Sequence, residues 1–137
     1  MIIHPAVIVH GLADARAALT FGLPVTLLSA PGTAIFAGCL WWREMVAAAQ
    51  AEFPSVEAVD ILDCGDASGA AMGALRSGLC RLVLWPEAPG WASVAAIAVR
   101  QGGFVLAEAP AALDLSHRNA FRRLDGWLRE AGVSPGT

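Results

Sequence analysis

The chain of 137 residues contains no lysine and no tyrosine, and charged residues make up only 15% of it. All nine cationic side chains are arginine. Without an ε-amino group the protein cannot form a Schiff base with a carbonyl substrate, anchor pyridoxal phosphate or supply the lysine of a P-loop. The missing phenol removes one further acid/base candidate. Twelve acidic side chains leave a net charge of -3, whereas a general nucleic-acid binder carries a basic excess. No nucleic-acid partner is therefore expected. An alanine-rich chain whose cations are all arginine is in keeping with a GC-rich bacterial genome.

Cysteine is also scarce. Cys39, Cys64 and Cys80 are odd in number and show no CxxC spacing, which supports neither a disulfide framework nor a zinc site. Nor is there a membrane span: residues 17–42 are uncharged but are interrupted by Gly22, Pro24, Pro31 and Gly32, and a span needs about 20 unbroken apolar residues. The opening Met1-Ile2-Ile3-His4-Pro5 lacks the basic region of a secretory signal, so a cytoplasmic location is expected.

What the chain has in excess is apolar surface. Hydrophobic residues reach 56% against about 45–50% in ordinary domains. At this length residues 1–137 read as a single domain, burying roughly 68% of the unfolded surface.

Short β-branched runs and helical patterns alternate along it. Ala6-Val7-Ile8-Val9 is a wholly apolar strand covered on both faces, and a helix over Leu12 to Phe21 follows, closed by Gly22 and Pro24. Val25 to Leu28 repeats the strand, and the turn Ser29-Ala30-Pro31-Gly32-Thr33 leads into one long helix that Pro54 ends. Strand three, Val59 to Leu62, runs into the polar turn Asp63-Cys64-Gly65-Asp66-Ala67-Ser68 and then a small-residue helix. Leu82 to Trp85, a helix over Trp91 to Arg100, and Phe104 to Ala107 complete five strands. The tail from Asp114 to Glu130 reads as an amphipathic surface helix, with Phe121, Leu124, Leu128 and Ala131 on its apolar side.

This alternation predicts an α/β fold, a three-layer αβα sandwich on a five-stranded, mainly parallel sheet. Asp60 inside strand three suits a sheet edge, which favours the Rossmann-like order 3-2-1-4-5 over the flavodoxin-like 2-1-3-4-5. A fragment of a (βα) barrel is a third possibility.

In such sheets ligands bind beyond the carboxyl ends of the strands. His10, Ser29 to Thr33, Asp63 to Ser68, Trp85 to Glu87 and Glu108 occupy those ends. Ser29, Gly32 and Thr33, with Asp66 and Ser68, are the candidate ligand-binding residues, because helix starts offer free N–H groups to an anion. Asp66 and Ser68 also suit ordinary helix caps. His10, Asp63, Cys64 and Glu87 are the candidate catalytic groups. Cys64 sits on a strand-to-helix turn, but it lacks the GxSxG pattern and has carboxylates on both sides. Asp63, Asp66, Glu87 and Glu108 with His10 could offer hard ligands to magnesium or manganese, but their spacing does not specify such a site and turn aspartates commonly cap helices, so no metal or cofactor is assigned.

Three functions compete. The first is a binding module for a small polar or anionic metabolite. The second is an enzyme with His10 as general base and a carboxylate from Asp63 or Glu87. The third is a ligand-free homo-oligomeric assembly protein, most simply a dimer.

The long helix motivates the third. Ile35, Cys39, Trp42, Val46, Ala49 and Phe53 form one stripe, yet Phe36 and Leu40 lie to one side of it and Trp41 and Met45 to the other. A helix apolar over most of its circumference is covered on more than one side, either by the C-terminal segment or by a second subunit.

Overall fold

The computed structural model describes residues 3–130. Ala131, placed by the sequence on the tail helix, lies outside them. Strands and helices follow the order β1 (Ala6–Val9), α1 (Leu12–Thr20), β2 (Val25–Ser29), α2 (Thr33–Phe36), α3 (Cys39–Glu52), β3 (Ala58–Asp63), α4 (Ser68–Arg76), β4 (Arg81–Val83), α5 (Trp91–Arg100), β5 (Phe104–Leu106), β6 (Ala112–Asp114) and α6 (Ala120–Glu130). The class is α/β with a parallel sheet. No helix among the described residues is long and apolar enough to cross a membrane.

The number and order of strands differ from expectation. The sheet has six strands, not five, in the order β5-β4-β3-β2-β1-β6, so neither 3-2-1-4-5 nor 2-1-3-4-5 applies. Asp60 misled because a charge marks an edge only when it must reach water. Here it is buried in an internal strand and engaged by a partner. β2 is buried at all five positions, as an interior strand of a parallel sheet should be. The missed strand β6 lies within and just before the stretch read as tail helix. It pairs in parallel with β1, setting Ala6 against Ala112, Val7 against Leu113 and Ile8 against Asp114.

Three residues carry too little periodicity to announce a strand. Leu113 and Leu115 nevertheless flank Asp114 at the two-residue spacing of a strand, and both are buried. Helix α6 consequently starts only at Ala120. It buries Ala120, Leu124 and Leu128, while Phe121, expected on that face, is exposed.

The described residues fall into two compact units, one of residues 3–28, 45–60 and 110–130, the other of Ser29–Glu44 and Ile61–Ala109. In the first, Arg16 Nε donates to Glu52 Oε2 at 2.7 Å and the indole N–H of Trp127 to the Ala6 carbonyl at 2.8 Å. In the second, parallel pairing joins β3 to β4 and β4 to β5. Arg43 Nη1 donates to the Ser77 carbonyl at 3.0 Å, tying the first turn of α3 to the end of α4.

The long helix is broken in two. The N–H groups of Ala37 and Gly38 both return to the Thr33 carbonyl, at 2.9 and 3.1 Å, and Gly38 takes φ +90°, which ends α2 after one turn. That break reassigns the stripe. Trp42, Val46 and Ala49 are buried, Ile35 is exposed, and Met45, expected at a subunit contact, is buried within the chain. The glycines of α4 stand open. No neighbour packs against Gly69, and only an Arg76 nitrogen approaches Gly73, so they form no close-packed face.

Among the described residues, the glycine that a tight approach demands is Gly103. A Cβ there would lie 1.8 Å from the Cys80 carbonyl oxygen, which accepts the Phe104 N–H at 2.8 Å beside it. Backbone cannot give way as a side-chain tip can. Gly103→Ala should therefore destabilise the fold by about 3 kcal/mol or more, read as a drop in the urea midpoint. An unchanged midpoint would show that β4 and β5 do not approach this closely.

Candidate functional site

Asp63 ends β3 with only 2% of its surface exposed, so the carboxylate must be satisfied from within. Its Oδ1 accepts the Gly32 N–H at 3.2 Å and the Gly65 N–H at 2.8 Å, and its own N–H donates to Ser29 Oγ at 2.8 Å. The Ser29 and Thr33 hydroxyls in turn donate to the Ala30 carbonyl, at 3.2 and 2.7 Å. The structure thus brings Ser29, Gly32, Thr33 and Asp63 together, but the polar atoms are engaged with one another. The donor that Gly32 would have offered an incoming anion already holds a carboxylate of the chain itself.

Cys64 follows on the same turn with its side chain wholly buried. Burial, then the neighbouring charge of Asp63 and that of Cys39, push its thiol up to about 12. A nucleophile needs the opposite shift, because the thiolate is the reactive form. Asp66 and Ser68 do not cap α4 either. The cap position is Ala67, without a side-chain bond, and the Ser68 hydroxyl donates to the Pro89 carbonyl at 2.5 Å.

The second unit carries an open cleft of about 610 Å³ lined by Asp66, Trp85, Pro86, Glu87, Ala107 and Glu108, beyond the carboxyl ends of β3, β4 and β5. Its size falls within the range of small-molecule sites. The Trp85 N–H donates to the Gly65 carbonyl at 2.8 Å, which fixes the residue at the rim with its side chain 44% exposed. The indole of Trp91 donates to the Leu84 carbonyl at 2.6 Å. Among the described residues no group of three His, Cys, Asp or Glu is placed to hold a metal ion.

The first unit contains a different constellation. In the observed strand order the chain's direction of travel reverses at β1, which has β2 on one side and β6 on the other. His10 and Asp114 stand at the carboxyl ends of β1 and β6, the position where doubly wound sheets hold ligands. His10 Nε2 lies 2.6 Å from Asp114 Oδ1. The Ser116 N–H and hydroxyl donate to the same oxygen at 2.9 and 2.8 Å, and His117 Nε2 lies 3.8 Å from Oδ2.

Burial raises the Asp114 carboxyl, but the hydrogen bonds from His10 and Ser116 outweigh it and hold the group below its ordinary 3.8. An ionised carboxylate only accepts, so Nε2 of His10 carries the proton of this hydrogen bond. The His10 backbone N–H is taken up by Asp14 Oδ2 at 2.9 Å. The carboxylate that His10 engages is thus Asp114, and not the expected Asp63 or Glu87. The sequence signal for it was the Leu113–Leu115 spacing around Asp114.

Family models, curated proteins and solved structures offer no match to this chain, so these geometries alone describe its sites.

Two outcomes follow from the two turns. Asp63→Ala orphans two buried N–H groups and should cost about 3 kcal/mol of stability, with Asp63→Asn retaining part of it, as read from denaturant midpoints. Asp114 has a depressed folded-state value, so its contribution is complete above the ordinary 3.8 and is lost as pH falls through the folded value. The stability gap between wild type and Asp114→Asn should therefore shrink on acidification below about pH 5. A gap independent of pH would remove the assigned interaction.

Proposed function

We propose that the protein is a binding module for a small polar metabolite carrying a positive charge, such as an amine, guanidinium or quaternary ammonium group. The supporting observation is the cleft, where the carboxylates of Asp66, Glu87 and Glu108 share a wall with Trp85. Three acidic groups repel an anion, which turns the expected polar or anionic class toward a cation. An exposed indole face attracts an organic cation with about 0.5–2 kcal/mol.

Calorimetry and thermal shift with spermidine, choline and arginine test this against citrate as the anionic control. The expected outcome is a rise in melting temperature with at least one cation, since a ligand bound only by the folded state stabilises it. Trp85→Ala and Glu108→Gln should each weaken binding by roughly tenfold, about 1.4 kcal/mol. Equal affinity in these variants, or binding of citrate alone, would sink the proposal.

The 2.6 Å contact between His10 and Asp114 favours one further reading, a hydrolytic enzyme in which His10 is the general base. Asp114 would orient the ring and stabilise its protonated form. Turnover of a panel of p-nitrophenyl esters should then fall in both His10→Ala and Asp114→Asn. Turnover that survives in His10→Ala would exclude it.

A further inference from the structure

Four large apolar side chains meet water within residues 35–41: Ile35 at 50% exposure, Phe36 at 83%, Leu40 at 55% and Trp41 at 40%. They belong to α2 and the first turn of α3, both inside the second unit. The supporting backbone is held firmly. Gly32 sits at φ +72°, and the Phe36 ring lies so close over it that a Cβ there would be 3.0 Å from the ring. Ile35 rests against Gly65, its Cδ1 3.5 Å from where a Cβ would stand. The Cys39 thiol lies 3.5 Å from the Ser77 hydroxyl, beside the Arg43 bond to the Ser77 carbonyl. These side chains are presented by an anchored surface, with the turn that bears them fixed at both ends.

We infer that this patch is the contact of a two-fold homodimer. Area is the first reason. The four exposed portions amount to apolar surface on the order of 400 Å², well within the range of the largest, often functional patches on single chains. A standard interface buries about 800 Å² per partner, with an apolar centre and a polar rim. The patch supplies such a centre.

Charge is the second reason. Residues 17–42 carry no charge, and α3 continues directly from the patch with Arg43 and Glu44, whose Nη2 and Oε1 lie 3.1 Å apart. Neighbouring charges of both signs are complementary to their own copy, because across a two-fold axis each arginine can meet the other chain's glutamate. A surface made for anionic lipid would show a cluster of cations instead, whereas this chain has a net charge of -3. The apolar fraction of 56%, above the usual range, agrees with surface that a partner covers. The inference does not depend on any ligand in the cleft.

Sedimentation velocity on the full chain tests it, with circular dichroism confirming that each variant is folded. The wild type should sediment as a dimer across about 1–100 μM, the range in which a standard interface associates. Phe36→Glu and Leu40→Glu each bring two carboxylates to the apolar centre and should weaken association by at least about 100-fold. Phe121→Glu, at an exposed apolar side chain on α6, should leave the dimer unchanged. A wild type that stays monomeric throughout overturns the inference, and if it also cosediments with phosphatidylglycerol vesicles the patch is a lipid surface. Dimers that persist in both Phe36→Glu and Leu40→Glu, or that are lost equally in Phe121→Glu, overturn it too.

Discussion

A carboxylate withdrawn from water has to find its hydrogen bonds inside the protein, and Asp63 finds them in the backbones of two turns. By accepting from Gly32 and Gly65 it joins the turn after β2 to the turn after β3. Much of what the second unit presents follows from that junction. Gly65, so held, accepts the N–H of Trp85 and sets an indole at the rim of the cleft. Gly32, held at positive φ, starts the single turn of α2 that carries Ile35 and Phe36 outward. The candidate ligand site and the candidate contact surface therefore share one support, and a residue with the look of a catalytic acid acts as a strut.

The same constraint explains why a turn rich in polar groups is chemically quiet. Ser29, Thr33, Asp63 and the N–H groups around them bond to one another. Cys64 beside them is buried next to a negative charge, which keeps its proton on. The groups left free to meet a ligand stand further out, on Asp66, Glu87 and Glu108. They are acidic, and this decides the sign of the ligand proposed for them.

In the first unit the reversal of strand order at β1 does similar positioning work. β6 returns to the free side of β1, and the parallel register brings Asp114 opposite Ile8, two residues before His10. Two residues more than a hundred positions apart thereby form the shortest contact involving an imidazole among the described residues. Ser116 bonds the same oxygen and His117 faces the other, so Asp114 is the hub of a small polar network at the strand ends.

The sequence by itself determined the α/β class, the places of five of the six strands and the set of turns that carry polar residues. These are local properties: β-branched runs, helical spacing, and glycine or proline where the chain must change direction. The break at Gly38 was legible in principle, since glycine at positive φ ends a helix, but the apolar stripe running through it was the louder signal. Strand order, the partner of His10 and the fate of Asp63 were decided only by the tertiary structure. Each depends on which distant backbone or side chain meets a given residue, and local pattern is silent about that. Asp60 shows the limit most plainly: its charge reads as an edge residue in sequence and is a buried, partnered group in the fold, because a partner supplied by the fold does what water would otherwise have had to do.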